Sequence, residues 1–255
     1  MQSSRPIVEV RDVGKIWDSR AGTIIALKSA SFSVTRGEFI CLLGPSGCGK
    51  STLLEIVAGL LEPTTGEVLM DGERVREASP ERGMVFQSHA LFPWRTAREN
   101  VEFGLEMRRV ERSERQRLAK QLIALVGLSG FEESLPRELS GGMCQRVAVA
   151  RALANSPKVL LMDEPFGALD AQTREELQRE ITRIWQETRT TIIFVTHSVS
   201  EAVILGDRIV VMTRRPGRIH SAISNTLPRP RDATSPEFGA TMRTVYSALE
   251  GARRT

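Results

Sequence analysis

The stretch 39-FICLLGPSGCGKST-52 constrains the fold more than any other part of the chain. Five apolar residues run directly into a loop with three glycines, a lysine and hydroxyl side chains. The apolar run suits a strand covered on both faces. After the loop, Leu53, Leu54, Val57, Ala58 and Leu61 recur at helical spacing until Pro63 stops the pattern. A buried strand feeding a helix through a glycine loop belongs in an α/β architecture. The residues Gly44, Pro45, Ser46, Gly47, Cys48, Gly49, Lys50 and Ser51, with Thr52 behind them, fit G-x-x-x-x-G-K-[ST] in that context. Glycines let backbone N–H groups turn toward an anion, and the helix N-terminus adds partial positive charge. Lys50 reaches the terminal phosphates, and the Ser51 hydroxyl is placed to ligate Mg²⁺. The spacing therefore predicts a phosphate-holding P-loop, an element that serves kinases, GTPases and many motors alike.

The other segments fit around this unit. IVEVRDV, IIALKSASFSV and FICLL read as strands within 7–43, an antiparallel region leading into the buried strand, with a turn at Arg36-Gly37. GEVLMDGERV reads as a hairpin with Asp71-Gly72 at its turn, and 84-MVF-86 as a short strand. From about 88 to 138 the character changes to polar helices, a helical insert. Helix and strand then alternate through QRVAVARALA, VLLMD, 170–188, TTIIFVTH and RIVVM, as in a mostly parallel sheet. The helix over 170–188 carries Leu177, Ile181, Ile184 and Trp185 on one face. We expect one domain over 6–232 and a helical tail over 233–255 packed on it.

Composition narrows the function. The 35 Lys and Arg against 31 Asp and Glu leave a net charge of +4. The densest cluster, 108-RRVERSERQR-117, alternates in sign, the pattern of a solvated helix face. We expect no nucleic-acid partner. Three cysteines without C-x-x-C spacing support neither a zinc site nor a disulfide framework. The N-terminal MQSSRPIVEVRDV does not read as a signal peptide, and no apolar run approaches the length of a membrane span.

Two further motifs carry chemistry. In 159-VLLMDEP-165 a buried strand delivers acid to the C-terminal edge of a parallel sheet, where ligands bind. Asp163 is placed to hold Mg²⁺ through its hydration shell and Glu164 to act as general base on water. In 139-LSGGMCQR-146, Ser140 reads as an N-cap followed by two glycines, a second anion site opening a helix.

With these on the page, the chain resembles the ATP-binding subunits of ABC transporters over nearly its whole length. The phosphate loop matches Walker A, VLLMDEP Walker B, and LSGGMCQR the signature motif. Gln87 falls at the Q-loop, Gly167-Ala168-Leu169-Asp170 at the D-loop, and His197 at the switch histidine. The resemblance implies an ABC-type nucleotide-binding domain that takes ATP and Mg²⁺ and works as a head-to-tail dimer with a second copy of itself. Ser140, Gly141, Gly142 and Gln145 would act in trans on the partner's nucleotide, with Asp170 in the D-loop. Gln87, with Ser51 and Asp163, would attend the metal, and His197 would contact the γ-phosphate beside Glu164. Trp17 falls where the family stacks an aromatic on adenine. Cys144 takes a position usually polar or basic, and Cys48, at a helix N-terminus, is expected to alkylate readily.

Within the family, 92-FPWRTARENVEFGLEMR-108, 215-RPGRI-219 and 227-LPRPRD-232 resemble the nitrate, sulfonate and taurine importer group. That implies an ATPase peripheral to the cytoplasmic side of the inner membrane. The permease would dock on the 88–138 insert, with Phe92, Pro93 and Trp94 as candidate contacts, and a periplasmic solute-binding protein would act indirectly. A soluble ABC ATPase with a non-membrane partner, or an importer of a thiamine-precursor-like solute, are the alternatives.

Overall fold

Phe39–Leu43 and Thr191–Thr196 are buried at every residue, the mark of strands covered on both faces. The computed structural model describes residues 5–19, 22–167 and 169–254. Residues 1–4, where the N-terminal stretch begins, and Ala168 of the expected D-loop lie outside the described residues. In chain order the elements are β1 (Val8–Ser19), β2 (Gly22–Val34), β3 (Phe39–Leu43), α1 (Lys50–Ala58), β4 (Thr65–Met70), β5 (Glu73–Arg74), β6 (Arg82–Val85), α2 (Ala97–Met107), α3 (Arg112–Leu125), α4 (Gly141–Leu153), β7 (Val159–Asp163), α5 (Ala171–Thr188), β8 (Thr191–Thr196), α6 (Val199–Leu205), β9 (Arg208–Met212), β10 (Ile219–Ser224) and α7 (Pro236–Arg254). They group into two compact units, residues 79–190 and the remainder.

In the first unit β3 lies between parallel β8 and β9, with Cys41 opposite Phe194 on one side and Ile209 on the other. Every residue of β3 and β8 is buried, which explains the unbroken apolar runs. β10 pairs antiparallel with β9. Its residues alternate between half-buried and exposed, a strand that the proline-rich sequence around it does not predict. The antiparallel sheet runs β2-β1-β4-β5. Asp71 and Gly72 take φ values of 51° and 85°, both left-handed, and close the hairpin with Met70 opposite Glu73. Helix α7 packs on α6, β9 and β10.

The second unit holds the parallel pair β6–β7 and helices α2 to α5. It extends well beyond the expected insert. Helix α2 begins in a capping box: Glu99 N–H donates to Thr96 Oγ1 at 3.2 Å, and Thr96 N–H to Glu99 Oε2 at 2.9 Å. Buried Asn100 fixes the preceding loop, accepting from Phe92 N–H at 2.9 Å and donating to Phe92 O at 3.2 Å and Arg95 O at 3.0 Å. On α3, Arg117 and Glu114 pair at 2.6 Å on the exposed face, the solvated pattern read from 108–117.

The proline-rich tail caps α6. Arg231 Nη1 donates to Val203 O at 2.9 Å, Ile204 O at 3.1 Å and Gly206 O at 2.8 Å, covering carbonyls that a helix end leaves unpaired. Burial, and after it the Arg229 charge, pull the Arg231 guanidinium down to about 10, so it stays charged at neutral pH. Val203 O and Gly206 O also accept from Asn225 Nδ2 at 2.8 and 3.0 Å, so Arg231→Met removes the charged donor without stranding them, and it should lower the unfolding free energy by about 1–2 kcal/mol, read from urea melts.

Candidate nucleotide site

The phosphate loop is built where β3 ends. Gly47 and Gly49 take φ values of 75° and 97°, conformations that a side chain would strain. Helix α1 starts at Lys50 with Gly49 as its N-cap, no side-chain cap and no acidic residue in its first turn. Its first N–H groups and dipole thus face no anion of the first turn's own, the arrangement that binds phosphate. Buried Lys50 crosses the loop, its Nζ donating to Gly44 O at 2.9 Å and Pro45 O at 3.1 Å. Ser51 is exposed at the helix start, with half-buried Thr52 next to it.

Two outer segments hold the loop. A Cβ on Gly49 would come within 2.7 Å of Leu27 Cδ2 and 3.0 Å of Ala26 O. A Cβ on Gly217, in the β9–β10 turn, would overlap the Cys48 carbonyl. Gly217 N–H donates to Ala26 O at 2.9 Å, and Arg215 Nε donates to Gly47 O at 3.3 Å. The 215-RPGRI-219 motif thus backs the loop, a role the sequence reading did not assign.

Cys48 departs from expectation. Its side chain is buried, and its Sγ sits 2.8 Å from where a Cβ on Gly44 would lie. The thiol faces the core under the loop and is not presented for alkylation. Trp17, opposite Ile24 on the β1–β2 pair, is 43% exposed. Lys15 Nζ lies 4.7 Å from its ring centroid and donates to Glu62 O at 2.8 Å. His197 follows β8 and is exposed. The next turn is fixed by Ser198 N–H donating to Thr196 Oγ1 at 3.0 Å and by Thr196 Oγ1 donating to Glu201 Oε2 at 2.5 Å.

In the second unit β7 is buried up to Met162, and Asp163 and Glu164 at its end are half-buried. Glu164 takes a φ of 41°, unusual for a residue with a side chain, the kind of outlier that clusters at functional sites. The turn beyond it is closed by Gly167 N–H donating to Glu164 O at 3.1 Å. Gln87, exposed, brings its Nε2 to 3.3 Å from where a Cβ on Gly167 would lie. Asp170 caps α5, accepting from Thr173 N–H at 3.0 Å and Thr173 Oγ1 at 2.7 Å, and these bonds hold its carboxyl below the usual range.

Ser140 is the N-cap of α4, its Oγ accepting from Met143 N–H at 3.2 Å. Ser140 and Gly141 are exposed, whereas Gly142 is buried against Thr173 of α5, where a Cβ would overlap the threonine methyl. Gln145, expected to act in trans with them, is fully buried and meets His89 Nδ1 through its Oε1. Helix α4 is covered around most of its circumference, Val147, Ala148, Val149 and Ala150 all being buried, so the Gln145 side chain is not on the surface of the chain. Cys144 packs its Sγ 3.4 Å from Pro136 O, and burial pushes its thiol up.

Among the described residues no three His, Cys, Asp or Glu side chains cluster as a metal cage, and no helix is long and apolar enough to cross a membrane. Ser51 and Asp163, each in its own unit, carry oxygen donors of the type that hard cations take.

The family profile described as ABC transporter matches residues 27–167. The chain belongs to the ABC transporter family. This ABC ATPase is 53% identical over 243 residues to an uncharacterized ABC transporter ATP-binding protein of Methanocaldococcus jannaschii, covering 95% of this chain and 91% of the relative. It is 46% identical to the aliphatic sulfonates import ATP-binding protein SsuB of Bacillus cereus, over 95% and 96% of the two chains. The same identity, 46%, holds with the nitrate import ATP-binding protein NrtD of Synechocystis over 96% and 95%. A solved dimeric structure of the ATP-binding cassette MJ0796 in a post-hydrolysis state with ADP and Pi superposes with a TM-score of 0.75 at 34% identity, covering 88% of this chain and 99% of that one. The ABC ATPase binds ATP and couples its hydrolysis to transport.

Stacking on an exposed indole contributes about 1–3 kcal/mol per base. Trp17→Ala should therefore weaken ATP binding roughly 5- to 150-fold in a fluorescent-nucleotide titration, and unchanged affinity would remove Trp17 from the site.

Proposed function

We propose that this ABC ATPase is the motor subunit of an importer for a small anionic solute of the sulfonate, taurine or nitrate type. The observation that carries this reading is its near full-length identity with sulfonate and nitrate import ATP-binding proteins. In the proposed cycle adenine stacks on Trp17, and the phosphates lie in the Gly44–Thr52 loop under the Lys50 ammonium. Mg²⁺ held by Ser51, Asp163 and Gln87 would neutralise phosphate charge. Glu164 accepts a proton from the attacking water, and His197 orients the γ-phosphate. A second copy arranged head-to-tail supplies Ser140, Gly141 and Gly142, and Asp170 adjoins that contact.

The permease surface falls within residues 79–190. A groove of about 660 Å³ is lined by Met84, Phe86, Phe92, Phe103, Met107 and Arg151. Trp94 stands 73% exposed beside it, its ring centroid 5.7 Å from that of Phe92. An apolar groove with an exposed aromatic at its edge suits an amphipathic segment of a membrane protein, helix-in-groove. Peripheral attachment to the inner face of the membrane follows from that contact.

Two tests bear on this reading. Glu164→Gln should retain ATP binding while hydrolysis falls by about 10²–10⁴, the usual worth of a general base. It should also accumulate as an ATP-bound dimer in size-exclusion chromatography, whereas Lys50→Ala should lose productive binding; hydrolysis by Glu164→Gln at the parent rate refutes the assignment. A strain lacking this chain should fail to grow on an alkanesulfonate or taurine as sole sulfur source, or on nitrate as sole nitrogen source. It should still grow on sulfate plus ammonium, and normal growth on every anion overturns the importer reading.

A further inference from the structure

The segment after Gln87 carries features that a plain connection does not need. His89 and Ala90 both adopt left-handed backbone, with φ values of 60° and 48°, a costly choice for residues with a Cβ. Helix α4 holds both. Arg151 Nη1 donates to Ala90 O at 2.6 Å, and its Nη2 donates to His89 O at 3.0 Å. The Arg151 guanidinium also lies 5.8 Å from the Phe92 ring centroid. One to two turns earlier on α4, Gln145 Oε1 accepts from His89 Nδ1–H in a short hydrogen bond.

The Gln145 amide has no exposed surface, and its Nε2 has no acceptor among the described residues. A leucine there would fill a similar volume without burying an unmatched donor. The polar side chain is therefore poorly explained by stability alone. Strained backbone on one side of the contact and an unmatched donor on the other mark a place kept for function. The two segments joined are the Gln87 loop and the helix that Ser140 and Gly141 open.

We propose that Gln145, acting through His89, is a positioning residue. With Arg151 it latches the Gln87 segment to α4, so that the Gln87 side chain and the signature helix start shift as one piece during hydrolysis. The proposal rests on the reading of Gln87 and of Ser140 to Gly142 as parts of the nucleotide machinery.

The test uses the full-length chain and compares Gln145→Leu, His89→Ala, their double variant and His89→Gln, measuring kcat for ATP hydrolysis, Kd for ATP and Tm. Gln145→Leu should keep or raise Tm and hold Kd within about twofold while kcat falls roughly fivefold or more, a pattern that a merely structural residue does not give. His89→Ala should show the same split. The double variant should be no slower than the slower single, as for two partners of one interaction. His89→Gln still offers an N–H to Gln145 and should recover most of the lost kcat.

A His89→Ala kcat within about twofold of the parent, losses that multiply in the double variant, or a kcat loss matched by a falling Tm overturns the latch. If Gln145→Leu does not fold, the two substitutions at half-exposed His89 decide alone. Lys50→Ala is assayed beside them. Loss of hydrolysis there with parent-rate His89→Ala refutes the latch and leaves the proposed function standing, whereas parent-rate Lys50→Ala refutes that function itself.

Discussion

Backbone approaching backbone without side chains between them is the constraint on which the first unit depends. Gly49 lies against Ala26 and Leu27, and Gly217 against the Cys48 carbonyl. Residues from three distant parts of the chain thus meet at the phosphate loop, tied by the Gly217–Ala26 and Lys28–Gly217 hydrogen bonds of 2.9 Å each. The loop can then present its N–H groups in a fixed array, since reorganising it would disturb β2 and the β9–β10 turn together. Preorganised donors of this kind do not have to be aligned at the moment of reaction.

Where local rules and burial agree, the sequence was easily read. β3 and β8 are apolar throughout because both faces are covered, and the α5 face of Leu177, Ile181, Ile184 and Trp185 is buried as its spacing requires. Asp71-Gly72 announced its turn because both residues tolerate positive φ. β10 escaped notice because it is an edge strand whose alternation is shallow, with no residue fully buried. The tail's arginines read as charge, yet Arg231 is enclosed and serves the carbonyls of α6. Composition cannot distinguish a solvated guanidinium from one that caps a helix.

The candidate site shows the same division. Motif spacing puts Lys50 and Ser51 at the start of a helix and Asp163 and Glu164 at the end of a strand, and the structure has them there. It misplaced two side chains whose direction depends on packing. Cys48 was read from its position at a helix N-terminus, but its thiol turns inward. Gln145 was read with its motif neighbours, but three residues along a helix from Gly142 it shares the inward face. His89 and Arg151 were not singled out at all, since a loop histidine and a helix arginine have no local signature until their partners are known.

Lys50 gives the phosphate loop a further property. Its ammonium is bonded to the carbonyls of Gly44 and Pro45, so the loop carries its own internal counter-ligand. A phosphate engaging that ammonium competes with the carbonyls already in place, and the net gain is the difference between the bonds made and the bonds given up. Charge-assisted bonds to an anion are stronger than bonds to carbonyls, so the exchange favours ligands dense in negative oxygen. By this argument a polyphosphate gains more at the ammonium than a species poor in negative oxygen does.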